Sequence, residues 1–147
     1  MLLEYGSDVN FADEEGQTSL HRCCEYGYVE SARLLLEHGA EIDVVETSMG
    51  WTPLHHAVTS PPLDGVDLST LLLSRGANFL LEDNEGKSPL SLVHEEAYGE
   101  MRGFWEEFLF KYYKLHVDLL VFGRAGPPQP SRVVTEFLAA WPTYHDY

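Results

Sequence analysis

His21, Cys23 and Cys24 fall within four positions, "HRCC", and are the side chains whose types and spacing first suggest chemistry. Imidazole and thiolate together ligate zinc, and an imidazole beside a thiol can activate it as a nucleophile. A structural zinc needs a tetrahedral set of four ligands, yet no other cysteine occurs in the chain. A reactive thiolate needs a base and an electropositive setting, whereas the field here is acidic and raises a thiol pKa. A thiol- or metal-dependent protein using His21, Cys23 and Cys24 therefore stands as the alternative of another class. The preferred expectation is no enzyme, no cofactor and no metal. The pairs Glu95-Glu96 and Glu106-Glu107 read as solvated faces, and "GRAGPP" at 123–128 lacks the lysine and register of a phosphate loop. Nothing assembles a nucleophile, a base and an oxyanion site.

The 147 residues suit one domain, and 44% apolar against 22% charged residues allow a packed core. No run of 18 apolar residues appears, and the first residues lack the basic and apolar regions of a signal peptide. Two adjacent cysteines cannot build a disulfide framework, so an intracellular, cytoplasmic or nuclear setting is expected. The charge of −15 is uneven: residues 1–100 hold 19 acids and 4 bases, while residues 101–147 hold 5 of each. Nucleic-acid binding needs Lys and Arg against phosphate, so the acidic part argues against it and permits a basic protein partner.

The elements that position these residues recur. "GQTSLH" (16–21), "GWTPLH" (50–55) and "GKSPLS" (86–91) form one set, with glycines 34 and 36 residues apart. "LLEYGSDVN" (2–10), "LLEHGAEID" (35–43) and "LLSRGANFL" (72–80) form a second set between them. Thr18, Thr52 and Ser88 are good helix N-caps, and Pro53 and Pro89 follow at the first helical position, where a missing N–H does no harm. A second helix ends at Gly39 or Gly76. In "VESARLLLEH", Val29, Ala32, Leu35 and Leu36 make one apolar stripe. The stretches Gly39–Gly50 and Gly76–Gly86 form extended turns in which Gly50 and Gly86 take positive φ, as Gly16 does before them.

With both sets in register, residues 13–43 resemble an ankyrin repeat along their full length. Residues 13–45 and 46–82 then form two repeats, residues 1–12 the tail of a partial first repeat, and residues 83–110 a degraded last one. The resemblance implies an all-α solenoid of stacked helix pairs with extended turns. It also implies that His21 and His55 hold the turns by hydrogen bonds, that Cys23 and Cys24 fill buried alanine slots, and that His56 is a face residue. Three extra residues separate the helices of the second full repeat. Pro61, Pro62 and Gly65 place them in the inter-helix loop. The turn from Gly39 to Gly50 has one extra residue. The chain opens in mid-repeat, which suits either a fragment or alternative start of a longer chain, or an end face covered by something else.

Residues 111–147 read as a C-terminal helical extension or cap. The stripe from Met101 to Phe122 is aromatic and helical in spacing, "GRAGPPQP" is a loop, and Ser131 can cap a short helix that Pro142 stops. In a second reading the chain is a fragment of a larger scaffold or adaptor whose aromatic C-terminal helix docks a partner.

Ankyrin-family proteins usually meet partners through turn tips and the exposed side of the first helices. By alignment those positions are Glu14, Glu15, Gln17, Glu25 and Tyr26, then Met49, Trp51, Thr59 and Ser60, then Asn84, Glu85, Lys87, Glu95 and Glu96. The implied function is non-catalytic protein binding through an acidic, aromatic concave face, with a basic segment as ligand and neither nucleic acid nor membrane as partner. Trp51 is the expected hot spot, its alternative being packing against a neighbouring turn.

Overall fold

The computed structural model describes residues 6–60, 62–93, 103–105, 107, 108 and 111, with backbone alone at 62 and 63. Among them five helices follow one another: α1 (Ser19–Tyr26), α2 (Val29–Glu37), α3 (Pro53–Thr59), α4 (Pro62–Ser74) and α5 (Pro89–Val93). The described residues contain no strand, only an isolated antiparallel bridge between Ala12 and Thr18. Contacts divide the chain into two units, Met1–Phe104 and Trp105–Tyr147.

In the first unit, α1 and α3 begin after extended residues, Thr18 and Thr52. Each helix pairs with its successor (α1 with α2, α3 with α4), and first helices stack on first helices, α1 on α3 and α3 on α5. One leucine recurs in each first helix, and Leu20, Leu54 and Leu90 are all buried. Removing a leucine from such a site costs about 2–5 kcal/mol. The small slots behave likewise, since Cys23, Cys24, Ala57 and Val58 are all buried.

The second helices end as the glycines predict. Gly39 donates to the Leu36 carbonyl and Ala40 to that of Leu35, and Gly76 and Ala77 repeat the pattern with Leu73 and Leu72. This paired closure satisfies carbonyls that would otherwise lack partners. Gly27 closes the first helix in the same left-handed way. Its φ is +79° at the end of α1, and a Cβ there would lie 2.8 Å from Asp64 Oδ2.

One expectation is corrected. The extra residues of the second full repeat do not form a loop at 62–65. They lengthen the helix: α4 has 13 residues where α2 has 9. Pro62 opens α4, where proline's fixed φ and missing donor are tolerated, so proline marks the helix start and not a gap before it. Pro61 lies outside the described residues.

In the second unit, residues 105, 107, 108 and 111 are helical. Trp105 is buried, its ring meets Phe108 edge-on at 5.8 Å, and Lys111 pairs with Glu107 at 2.6 Å. The expected loop at 123–130 and final helix after Ser131 lie outside the described residues, as do residues 1–5, Glu95 and Glu96.

Candidate interaction surface

A carboxylate ties each turn from within. Asp13 Oδ1 accepts from the Glu15 and Gln17 amides at 3.0 and 2.9 Å. Asp83 Oδ1 does the same for Glu85 and Lys87 at 2.8 and 2.9 Å. In both turns the aspartate amide donates to the carbonyl four residues on, Gln17 or Lys87. The middle turn has an extra residue, and Thr47 stands three before Gly50 where its neighbours have aspartate. Glu46 takes over. Its amide reaches the Trp51 carbonyl, five residues on, at 3.0 Å. Its carboxylate accepts from the Ser48 amide and hydroxyl, the Met49 amide and the Trp51 amide, at 2.9, 2.6, 2.9 and 3.3 Å. One added methylene spans one added residue. Glu46 is only 1% exposed. Burial pushes its carboxyl pKa up, but the four donors outweigh burial and leave it at about 2.

The tips stack in register. The Thr47 amide and hydroxyl donate to the Glu15 carbonyl at 2.8 and 2.9 Å. The Asn84 amide donates to the Met49 carbonyl at 3.0 Å. Gly50 is fixed by this closeness as well as by its φ of +76°: a Cβ there would lie 2.9 Å from the Asn84 nitrogen.

Histidines join the helices to the turns. The Thr18 amide donates to His21 Nδ1 at 3.1 Å, and His21 Nε2 meets the carbonyls of Val44 and Trp51 at 2.9 and 3.2 Å. An amide only donates and a carbonyl only accepts, so these partners fix the neutral Nε2–H tautomer. His55 repeats the arrangement with the Thr52 amide and the Lys87 carbonyl, at 3.0 and 3.1 Å. The turn-holding role that the resemblance implies is thus visible in both residues. Ser91, in the same slot of the next repeat, keeps only the inward half: its hydroxyl accepts from the Ser88 amide at 2.8 Å. Burial lowers the pKa of both imidazoles, against the pull of their carbonyl partners.

His56 is not the face residue expected. It is 5% exposed, its ring edge-on to Trp51 at 5.0 Å and to His21 at 5.8 Å. Its Nε2 is buried without a hydrogen-bond partner among the described residues. Burial, then the neighbouring His21, brings its pKa down to about 4. The repeat offset places Arg22, exposed, and Leu92, buried, in the same slot, so the slot does not fix exposure, and the expectation for His56 failed on what packs against its helix.

Trp51 is half-buried. Its indole Nε1 donates to Asp83 Oδ2 at 3.0 Å and its ring stacks on His55 at 6.1 Å. The structure brings Ser48, Met49, Trp51, Asp83, Asn84, Glu85, Lys87 and Leu92 together around a cleft of about 210 Å³ between the second and third tips. Sequence reasoning singled out Met49, Trp51, Asn84, Glu85 and Lys87 of that rim but missed Ser48, Asp83 and Leu92, of which Asp83 matters most. The recurrence of aspartate three before glycine, at Asp13 and Asp83, was the available signal.

Of the other positions, Glu14, Glu15, Tyr26, Met49 and Glu85 are exposed, and Gln17, Glu25, Thr59 and Lys87 are partly so. Ser60 is corrected: it is buried, and its one hydroxyl hydrogen is shared between the carbonyls of Cys24 and His56, so its proton is turned inward and not toward a partner. Arg22 lies between Glu25 and Asp13 at 3.2 and 3.5 Å. Cys23 and Cys24 are free, buried thiols whose pKa values burial drives upward, so burial and not the acidic field is the main cause. Among the described residues, no group of three or more His, Cys, Asp or Glu side chains is placed to hold a metal ion. None of the helices described is long and apolar enough to cross a membrane.

Stacked helix pairs, joined by turns that hydrogen-bond tip to tip and are pinned by a histidine from the helix below, define a repeat protein. The profile for ankyrin repeats, in three copies, matches residues 1–83. The chain belongs to the ankyrin-repeat family, whose members are generally protein–protein interaction modules. It is 35% identical over 95 residues to the human BCL-6 corepressor-like protein 1, a match spanning 65% of this chain and 5% of that protein. It is 41% identical over 83 residues to the mouse B-cell lymphoma 3 protein homolog, spanning 56% of this chain and 18% of the relative. It is 34% identical over 104 residues to the putative ankyrin repeat protein YahD of Escherichia coli K12, covering 69% of this chain and 51% of that one. The chain thus spans about half the length of one of these relatives and far less of the other two.

Proposed function

We propose that the chain is a non-catalytic binding module that takes a Lys/Arg-rich protein segment along its turn tips and the adjoining side of its first helices. The observation that carries this reading is the charge of the stacked tips. Glu14, Glu15 and Glu85 are exposed there, while Arg22 and Lys87, the cations of the same surface, already face Asp13, Glu25 and Glu85. Exposed Tyr26 and Met49, 58% and 45% accessible, add the apolar contact that charge alone does not supply. Free, buried thiols at Cys23 and Cys24 fit an intracellular setting, cytoplasmic or nuclear.

The test is affinity capture with the chain against a Glu14→Lys, Glu25→Lys variant, at low and high salt, read by mass spectrometry. Partners rich in lysine and arginine should be lost from the variant. They should also weaken as salt shortens the screening length from about 8 Å near 0.15 M to about 3 Å at 1 M. Capture that ignores both salt and charge reversal would refute the electrostatic reading. Trp51→Ala is a poor probe, because it removes a turn-to-turn hydrogen bond as well as a contact surface.

A further inference from the structure

We propose that the cleft between the second and third turn tips seats one arginine side chain of the partner's basic segment, an assignment that rests on the reading of the tips as a surface for basic segments. The size of the cleft, about 210 Å³, falls below the roughly 300 Å³ at which small-molecule pockets begin, and suits a single long side chain. Its lining joins apolar surface to negative charge. Met49, Trp51 and Leu92 supply the first, and Asp83 and Glu85 the second.

The aromatic wall is already in place. Trp51 is tied to Asp83 at 3.0 Å and stacked on His55, so no ring has to be ordered when a ligand enters. A guanidinium near an indole gains cation–π attraction, and its planar fork can also pair with a carboxylate. Lysine offers a strongly hydrated point charge and lacks the flat face. An apolar occupant would cover the exposed Glu85 carboxylate and offer it no donor, which is costly. An acidic occupant would meet two carboxylates.

The cleft carries its own cation. Lys87 Nζ lies 3.5 Å from Glu85, with the two side chains 40% and 75% exposed. So exposed an ion pair is weak, and an incoming guanidinium can replace it. This fixes a sign: removing the Lys87 charge favours a cationic occupant and disfavours an anionic one.

The test titrates the full ¹⁵N-labelled chain with N-acetyl-arginine amide while following the Trp51 indole N–H resonance. A saturable shift is expected, smaller with N-acetyl-lysine amide and absent with N-acetyl-leucine amide. Glu85→Gln, on an exposed side chain, should weaken the arginine probe about threefold, and Lys87→Met should strengthen it by a similar factor. An equal response to the leucine probe, or weakening by Lys87→Met, overturns the assignment. A Gly/Ser peptide carrying four arginines separates this proposal from the broader one. Binding that is lost with Glu14→Lys, Glu25→Lys but indifferent to Glu85→Gln sinks the cleft assignment and leaves the acidic surface standing. No binding of that peptide to the unaltered chain sinks both.

Discussion

The indole Nε1 of Trp51 donates to Asp83 Oδ2 at 3.0 Å, so a side chain of the second turn is held by the carboxylate that organises the third. The same carboxylate accepts two amides of its own turn through Oδ1. One residue thus shapes the third tip and orients the aromatic wall of the cleft.

Asp83→Ala should therefore act twice. Losing three hydrogen bonds to a partly buried carboxylate is expected to cost about 2–3 kcal/mol in urea unfolding. The Trp51 indole N–H resonance should also move toward its position in an unfolded chain. A variant that loses stability while this resonance stays put would show that the indole is held by other contacts.

Glu46 offers a sharper test of turn length. Glu46→Asp is expected to destabilise the chain by about 1–2 kcal/mol, because the shorter carboxylate no longer spans the extra residue. Deleting Thr47 in the same variant produces "DSMGW", which has the spacing of "DEEGQ" and "DNEGK" in the other turns. Much of the lost stability should return. Denaturant midpoints of the three proteins, measured side by side, decide it: a deletion that only adds to the damage would disprove the substitution of Glu46 for aspartate.

Stability should fall in two acid steps. A histidine held neutral by the fold has a native pKa below its unfolded value near 6.5, so the unfolded chain binds more protons once the pH drops below that value. Stability is then lost from about pH 6.5 down to the native pKa, which is about 4 for His56, with His21 and His55 contributing in the same direction. Glu46 adds a second loss between its unfolded value of 4.5 and about 2. Each of these two shifts corresponds to at most about 3 kcal/mol. His56→Leu, which copies the buried Leu92 of the equivalent slot, should flatten the first step. Thermal midpoints at pH 7 and pH 5 check this, and an undiminished drop in the variant would assign the step to other groups.

Cys23 and Cys24 should resist a thiol reagent under native conditions and react fully in urea. Burial raises both pKa values, and only opening of the α1–α3 packing exposes them. Rapid native modification of either thiol, at a rate independent of denaturant, would contradict the buried assignment.

Much of the frame was legible in the residues. Thr18 and Thr52 before their helices, Gly39 and Gly76 after the second helices, and leucine at 20, 54 and 90 each impose a local conformation or a burial that needs no knowledge of neighbours. Repetition in register then implied stacking, since one helix pair cannot bury its own apolar face. The pairing of His21 with Cys23 and Cys24 became scaffold for the same reason: position in the repeat outweighed residue chemistry.

What the tertiary structure decided depends on distances between repeats. Arg22, His56 and Leu92 share one slot but are exposed, buried and buried, because exposure is set by what stacks on each helix and not by the helix itself. Ser60 reads as a surface residue until the Cys24 carbonyl, 36 positions away in sequence, is seen to accept its hydroxyl. Trp51 reads equally as an anchor for a partner and as packing against a neighbouring turn until Asp83, 32 positions away, is seen to accept its indole N–H. Sequence periodicity determines which residues face a neighbouring repeat. Only packing between repeats brings particular polar atoms within hydrogen-bonding distance, and it is those contacts that formed the cleft.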